Sequence, residues 1–261
     1  MALDDYEHFK SDVLAMSSIE LNLYKERQMK RRIDSLIEKN GFKGYSEYVK
    51  ALKTDKKLYD DFINYLTINV SEFWRNPDQW KILEEEMLPY LFGKFGKPLK
   101  IWSAACSTGD EPYSLVMLLA KFMPMSQIKI LATDLDETVM NKAKAGLYNV
   151  KSLKGLPKEF VSKYFTKVTD TTYSISDEVK RCVQFKKHNL LKDPYPDKMD
   201  LIVCRNVVIY FTEEAKEEVF KKFNKSLKPE GVLFVGSTEQ IIQSTKIGFK
   251  PKHSFFYIKE N

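Results

Sequence analysis

The chain has 261 residues, enough for one large domain or two modest ones at roughly 100 to 200 residues each, and its 43% hydrophobic, 30% charged composition with 10 Gly and 10 Pro excludes a wholly disordered or collagenous chain. The longest stretch free of Asp, Glu, Lys and Arg runs from Phe62 to Ser71, far short of the roughly 18 apolar residues of a membrane span, and the acidic start Asp4-Asp5 is unlike a signal peptide, so no membrane insertion and a cytoplasmic location are expected. The net charge, 42 − 36 = +6, is modest, so its placement matters more than its sum.

The first 68 residues read as helices, because apolar residues recur at helical spacing and strand-like alternation is absent. Tyr6, Phe9, Val13 and Met16 form one stripe; Met29, Ile33, Leu36 and Ile37 form a second, ended by Asn40-Gly41. On that second helix, a turn of about 100° per residue sets Arg27, Lys30 and Arg31 opposite the apolar stripe, a basic outward face suited to an acidic partner. A second basic excess, nine cations against four acids, lies in residues 150 to 188.

From Lys97 the rhythm changes to short apolar runs alternating with helical segments: Leu99 to Ala104, Ile128 to Thr133, Asp200 to Cys204, Val232 to Val235 and Phe255 to Ile258. This predicts an α/β domain with a mainly parallel, Rossmann-like sheet. Tyr148 to His188 is too long for a simple crossover, and Tyr173 to Ile175 is expected to pair with Arg181 to Phe185 as a small antiparallel insert. The expected organisation is a helical domain over 1–68, a connecting segment over 69–96 and an α/β domain over 97–261 with its insert at about 150–188.

In open α/β sheets ligands bind beyond the carboxyl ends of the strands, which directs attention to the loop Ala104 to Ser114. Small residues up to Gly109 let a backbone approach a ligand, but the loop is not a GxGxxG fingerprint, and Asp110 and Glu111 would repel a pyrophosphate. A cationic or neutral nucleoside fits better. Asp134, 25 positions beyond Gly109, sits where an acid accepts hydrogen bonds from ribose hydroxyls; helix N-capping is the competing role, with Asp136 beside it. Together these features point to S-adenosylmethionine, whose sulfonium and ammonium groups are positive. The three cysteines, Cys106, Cys182 and Cys204, have no metal-ligand spacing, no metal site is expected, and His8, His188 and His253 lack a catalytic motif partner.

Three further clusters extend the pattern: Asn69-Val70-Ser71-Glu72-Phe73-Trp74-Arg75, His188-Asn189-Leu190-Leu191, and Cys204-Arg205-Asn206-Val207-Val208-Ile209-Tyr210-Phe211. In this order, with Cys106 to Ser114, Ala132-Thr133-Asp134 and the turn Gly236 to Glu239, they resemble the chemotaxis receptor methyltransferases, the CheR family, over nearly the whole chain. The chain departs from the family pattern at Ser71 for Thr, Trp74 for Phe, Asp110 for Glu, Glu230 for Gly and Thr238 for Ser.

The resemblance implies a Rossmann-like S-adenosylmethionine-dependent methyltransferase domain preceded by an all-α domain. It implies that the cofactor is held by Asn69, Ser71, Arg75, Glu111, Asp134, Asn189, Leu190, Arg205 and Asn206, with Arg75 and Tyr210 beside the transferred methyl. The implied reaction forms methyl esters on glutamates of a receptor's cytoplasmic helical domain and leaves S-adenosylhomocysteine; a monomer is expected. Two other readings stand beside it: a nucleic-acid methyltransferase, against which no Asn/Asp-Pro-Pro-Tyr/Phe motif is present, and a noncatalytic cofactor-binding module.

Overall fold

The computed structural model describes residues 3–69 and 71–260, which fall into two compact units. The first comprises residues 1–69 together with Val208–Glu217. It holds α1 (Leu3–Ser17), α2 (Glu26–Lys39), α3 (Tyr45–Thr54) and α4 (Lys56–Leu66). The stripes read from the sequence form its core: Tyr6, Phe9 and Val13 from α1 and Met29, Ile33, Leu36 and Ile37 from α2 are buried with Tyr45, Tyr48 and Phe62. Asp55 caps α4 by accepting the Leu58 N–H at 3.0 Å, and Gly41, at φ 77°, turns the chain after α2. The separate segment Val208–Glu217 is stitched to this unit by main-chain bonds from Lys25 N to Tyr210 O and from Thr212 N to Leu23 O, both 2.9 Å, and by the Tyr24 and Phe211 rings in edge contact.

The second unit comprises residues 70–207 and 218–261. It opens with helical turns, α5 (Pro77–Ile82), a π-helical turn at Leu83–Met87 and α6 (Leu88–Phe95), and continues with β1 (Ile101–Ala104), α7 (Asp110–Leu119), β2 (Ile130–Asp134) and α8 (Glu137–Ala145). Next come β3 (Leu147–Asn149), α9 (Lys158–Tyr164), β4 (Phe165–Lys167), β5 (Thr172–Ile175), α10 (Asp177–Lys180) and β6 (Val183–Lys187). After β7 (Met199–Cys204), α11 (Glu213–Ser226) begins in the first unit and ends in the second, followed by β8 (Leu227–Val235), β9 (Phe249–His253) and β10 (Phe256–Lys259).

The main sheet has the order β6-β2-β1-β7-β8-β10-β9, parallel from β6 to β8 and antiparallel for the last two strands. Every residue of β1 and β7 is buried, as expected of central parallel strands covered on both faces. The chain leaves β1 toward β2 on one side and β7 flanks it on the other, so strand order switches at β1, and the carboxyl ends of β1, β2 and β7 open there.

The insert differs from the expected pairing. A three-stranded antiparallel sheet, β3-β5-β4, joins Thr172–Ile175 to Leu147–Asn149 and Phe165–Lys167, whereas Val183–Lys187 lies parallel to β2 at the edge of the main sheet. The insert is therefore shorter than 150–188 at its carboxyl end. Val183 and Phe185 are half-buried against the main core, while Gln184 between them and Lys186 after them are exposed. That alternation specifies a one-sided strand without specifying its sheet. Among the described residues, no helix is long and apolar enough to cross a membrane.

Candidate active site

The loop after β1 is held in an unusual backbone path. Ala105, Ser107 and Gly109 adopt φ of 62°, 47° and 87°, and Cys106 N–H bonds Thr133 O at 2.9 Å across the strand ends. A Cβ on Gly109 would stand 2.8 Å from Ala143 Cβ and 3.0 Å from the Tyr113 ring, so glycine is required by both space and φ. Cys106 packs with Ala132 and Met140, and its burial pushes the thiol pKa well up, which makes it part of the core and not a nucleophile.

Asp134 at the end of β2 is buried, and its carboxylate accepts Ser107 N–H at 2.7 Å and Asp136 N–H at 3.0 Å. Burial outweighs these bonds and raises its pKa from 3.8 to about 6. The N-cap of α8 is Asp136, which accepts Thr138 N–H at 2.8 Å, leaving Asp134 to the loop and the strand-end opening. Asp110 is buried with its pKa raised by desolvation, against the opposing hydrogen bonds from the Thr108 and Ser71 hydroxyls. Glu111 accepts the Ser103 hydroxyl at 2.8 Å; its pKa is also raised by burial, which Arg205 opposes from 3.7 Å.

Arg205 is the hub of this edge. Its side chain is 2% exposed, and one terminal nitrogen donates to Arg75 O at 2.7 Å, Gln79 Oε1 at 2.9 Å and Asn76 Oδ1 at 3.0 Å. The guanidinium carbon lies 4.8 Å from the Phe234 ring centre and 5.8 Å from that of Trp80. Arg205 thus braces the segment Arg75–Gln79; within it Asn76, and just before it Trp74, have positive φ, and Trp74 stacks on Trp80 at 4.7 Å. The Trp80 indole N–H also bonds Arg75 O, at 3.0 Å. The Arg75 side chain is one-third exposed, with Nε 4.0 Å from Glu72.

Of the other sequence-selected residues, Asn189 folds its own turn, its carbonyl accepting Leu191 N–H at 2.9 Å, and Leu190 is buried. Asn206, at φ 63°, follows Arg205 directly at the end of β7. Ser71, Arg75, Glu111, Asp134, Asn189, Leu190, Arg205 and Asn206 all belong to the second unit; Asn69 and Tyr210 belong to the first. In the first unit, Asn69 Nδ2 donates to Thr67 Oγ1 at 2.8 Å. Arg27 and Arg31 are exposed on α2, but Lys30 is half-buried and bound to Asp34 at 3.1 Å.

Sequence reasoning assigned no role to Ser107 or to Gln79. The Ser107 hydroxyl is buried without a hydrogen-bond partner, beside Asp134, in a loop whose positive φ values no local pattern announces. An unsatisfied buried hydroxyl is costly, which favours a polar group at that spot when the site is filled. A narrow backbone cradle at Gly109, an orphan hydroxyl and two carboxylates fit a nucleoside with a cationic amino-acid head.

Comparison with known proteins accords with this geometry. The profile of the all-alpha domain of CheR methyltransferases matches residues 4–67, and that of the CheR SAM binding domain matches residues 69–255. A chemotaxis protein methyltransferase of Listeria innocua is 42% identical over 255 residues, covering 98% of this chain and 97% of that protein. The namesake from Borreliella burgdorferi is 35% identical over 85% of this chain and 83% of its own length, and that of Salmonella typhimurium 32% over 92% and 85%. A solved TehB-like SAM-dependent methyltransferase of Corynebacterium glutamicum covers 70% of this chain and 93% of its own at 15% identity, with a TM-score of 0.39. By its sequence profile and its relatives, the chain belongs to the CheR methyltransferase family.

Proposed function

We propose that this protein transfers the methyl group of S-adenosylmethionine to glutamate carboxylates on the cytoplasmic helical domain of chemotaxis receptors, acting as a monomer. The observation that carries the reading is the strand-switch end of the sheet, where Glu111 and Asp134 stand and where the Ser107 hydroxyl, on the residue whose main-chain N–H Asp134 holds, is buried without a hydrogen-bond partner. Asp134 and Ser107 would hold the ribose hydroxyls. Glu111 and Asp110 would supply negative charge toward the ammonium and sulfonium, Ser71, Asn189, Leu190 and Asn206 would hold the remainder, and the family resemblance adds Asn69 to the cofactor's ligands. Arg205 contributes from behind, by fixing the Arg75–Gln79 turn through three hydrogen bonds.

When bound, S-adenosylmethionine supplies an activated methyl group. The acceptor needs no general base, since a glutamate with a pKa of about 4.3 is already ionised at neutral pH. The chain's task is alignment, and proximity and orientation contribute on the order of 7 to 11 kcal/mol in well-arranged reactions. Arg75 is assigned to orienting the incoming carboxylate, a task to which the family resemblance adds the Tyr210 hydroxyl, and the exposed Arg27 and Arg31 are assigned to drawing an acidic helical surface toward the enzyme.

Incubation with methyl-labelled S-adenosylmethionine and a receptor cytoplasmic fragment tests the reading. Label should enter the fragment and leave as methanol in mild alkali, as an ester requires; alkali-stable label, or label in RNA alone, would overturn it.

A further inference from the structure

The turn after β8, Gly236-Ser237-Thr238-Glu239, carries a buried carboxylate that the mechanism above leaves without a task. Glu239 is 1% exposed. Its Oε2 accepts Asn206 N–H at 2.6 Å and Gly236 N–H at 2.9 Å, and its Oε1 accepts Val207 N–H at 2.7 Å. Bonds from main-chain donors to an ionised acceptor are short and strong. Asn206, at φ 63°, is left-handed, and such a residue turns successive N–H groups to one side to make an anion-holding nest. In this protein the nest after β7 is filled from within, by a side chain 33 residues further along.

The fit leaves little freedom. A Cβ added to Gly236 would stand 2.5 Å from Glu239 Oε2 and 2.9 Å from Asn206 N, so the carboxylate, the glycine and the Asn206 backbone fix one another. The Glu239 charge is also felt by Arg205, whose protonated form it favours, and by Glu111, whose ionisation it opposes. One buried carboxylate therefore sets the backbone of Asn206 and lies within electrostatic reach of both members of the neighbouring ion pair.

We propose that Glu239 is a positioning residue for cofactor binding: its carboxylate clamps the main chain of Asn206 and Val207 and thereby aims Asn206 at the nucleoside. The inference rests on the assignment of Asn206 to the cofactor site under Proposed function. Glu239→Gln keeps the shape but turns an NH2 group toward N–H donors, which releases one arm of the clamp. Gly236→Ala keeps the carboxylate and displaces it.

Calorimetry with S-adenosylhomocysteine on the full chain tests this, with thermal unfolding to confirm that each variant is folded. Glu239→Gln and Gly236→Ala should each raise Kd at least tenfold, and should raise KM for S-adenosylmethionine while kcat at saturation stays within threefold. Asn206→Ala should weaken binding at least tenfold alone but less than threefold in the Glu239→Gln background, because both changes remove the same contact. A folded variant with wild-type Kd, or losses that multiply in full, would overturn the clamp. If Glu239→Gln does not fold, Gly236→Ala decides by the same criteria. Absence of binding by the unaltered chain would overturn the cofactor reading itself, and the clamp with it.

Discussion

The carboxylate of Asp134 holds the main-chain N–H of Ser107 at 2.7 Å, so the residue proposed to read a ribose also shapes the loop that would cradle it. Burial lifts its pKa from 3.8 to about 6, which makes the native protein bind this proton more tightly than the unfolded chain. The associated stability is therefore fully present below pH 3.8 and is lost as pH rises through about 6. Ligand affinity should run the other way, since the ionised carboxylate is the better acceptor for hydroxyl hydrogens. Calorimetry with S-adenosylhomocysteine should show Kd falling about tenfold per pH unit below the pKa, levelling off near neutrality. Asp134→Asn should flatten that profile; an unchanged slope would remove Asp134 from the ribose site.

Arg205 should matter to stability as much as to rate. Its guanidinium is buried, faces Glu111 at 3.7 Å and holds the Arg75–Gln79 turn, so Arg205→Met strands a buried carboxylate and frees that turn. Removing one partner of such a pair costs about 3 to 5 kcal/mol, measurable as a shifted midpoint in urea denaturation. Adding Glu111→Gln to Arg205→Met should recover part of the loss, because the stranded charge is gone.

Periodicity made the helical stripes and the parallel strands legible, because burial on one face or on both leaves a mark in the order of apolar residues. Partnership across the fold left no such mark. A strand was legible over Arg181 to Phe185, yet its observed span, Val183–Lys187, and its pairing with β2 instead of Thr172–Ile175 depend on packing against the core. At the site, acids at strand ends drew attention to Glu111 and Asp134, while Arg205 read as a cofactor contact and the structure shows it bonded to the turn behind. The clamp by Glu239 joins residues 32 and 33 positions apart, and no spacing rule reaches that far. Glu230 stands where the family pattern has glycine and adopts φ 65°; its carboxylate meets Lys94 at 2.6 Å, a pairing that accompanies a strained backbone.

Arg75→Ala separates the residue's side chain from its backbone. The carbonyl that accepts Arg205 and the Trp80 indole remains, so the brace and the fold should survive, with a melting temperature close to that of the parent. Loss of the guanidinium should lower kcat/KM for receptor methylation by on the order of 10²-fold, the penalty for a misplaced reactant. Full turnover in a folded variant would exclude Arg75 from orienting the acceptor.

The basic face of α2 divides into two kinds of cation. The Lys30 ammonium bonds Asp34 at 3.1 Å and lies 5.3 and 5.5 Å from the Tyr6 and Tyr45 ring centres, and the Tyr45 hydroxyl donates to the same aspartate. The Lys30 pKa is raised, first by its hydrogen bond with Tyr45, so its charge is committed within its own unit. Lys30→Ala should cost about 1 kcal/mol of stability, discounted for its partial exposure, and leave the receptor KM unchanged. Arg27 and Arg31 are exposed, and reversing both to Glu should raise KM for an acidic receptor fragment severalfold at low ionic strength without altering kcat. Near 0.5 M salt, where screening shortens the reach of exposed charges to about 4 Å, the difference should largely vanish. A KM raised by Lys30→Ala and untouched by the arginine reversals would place docking on another surface.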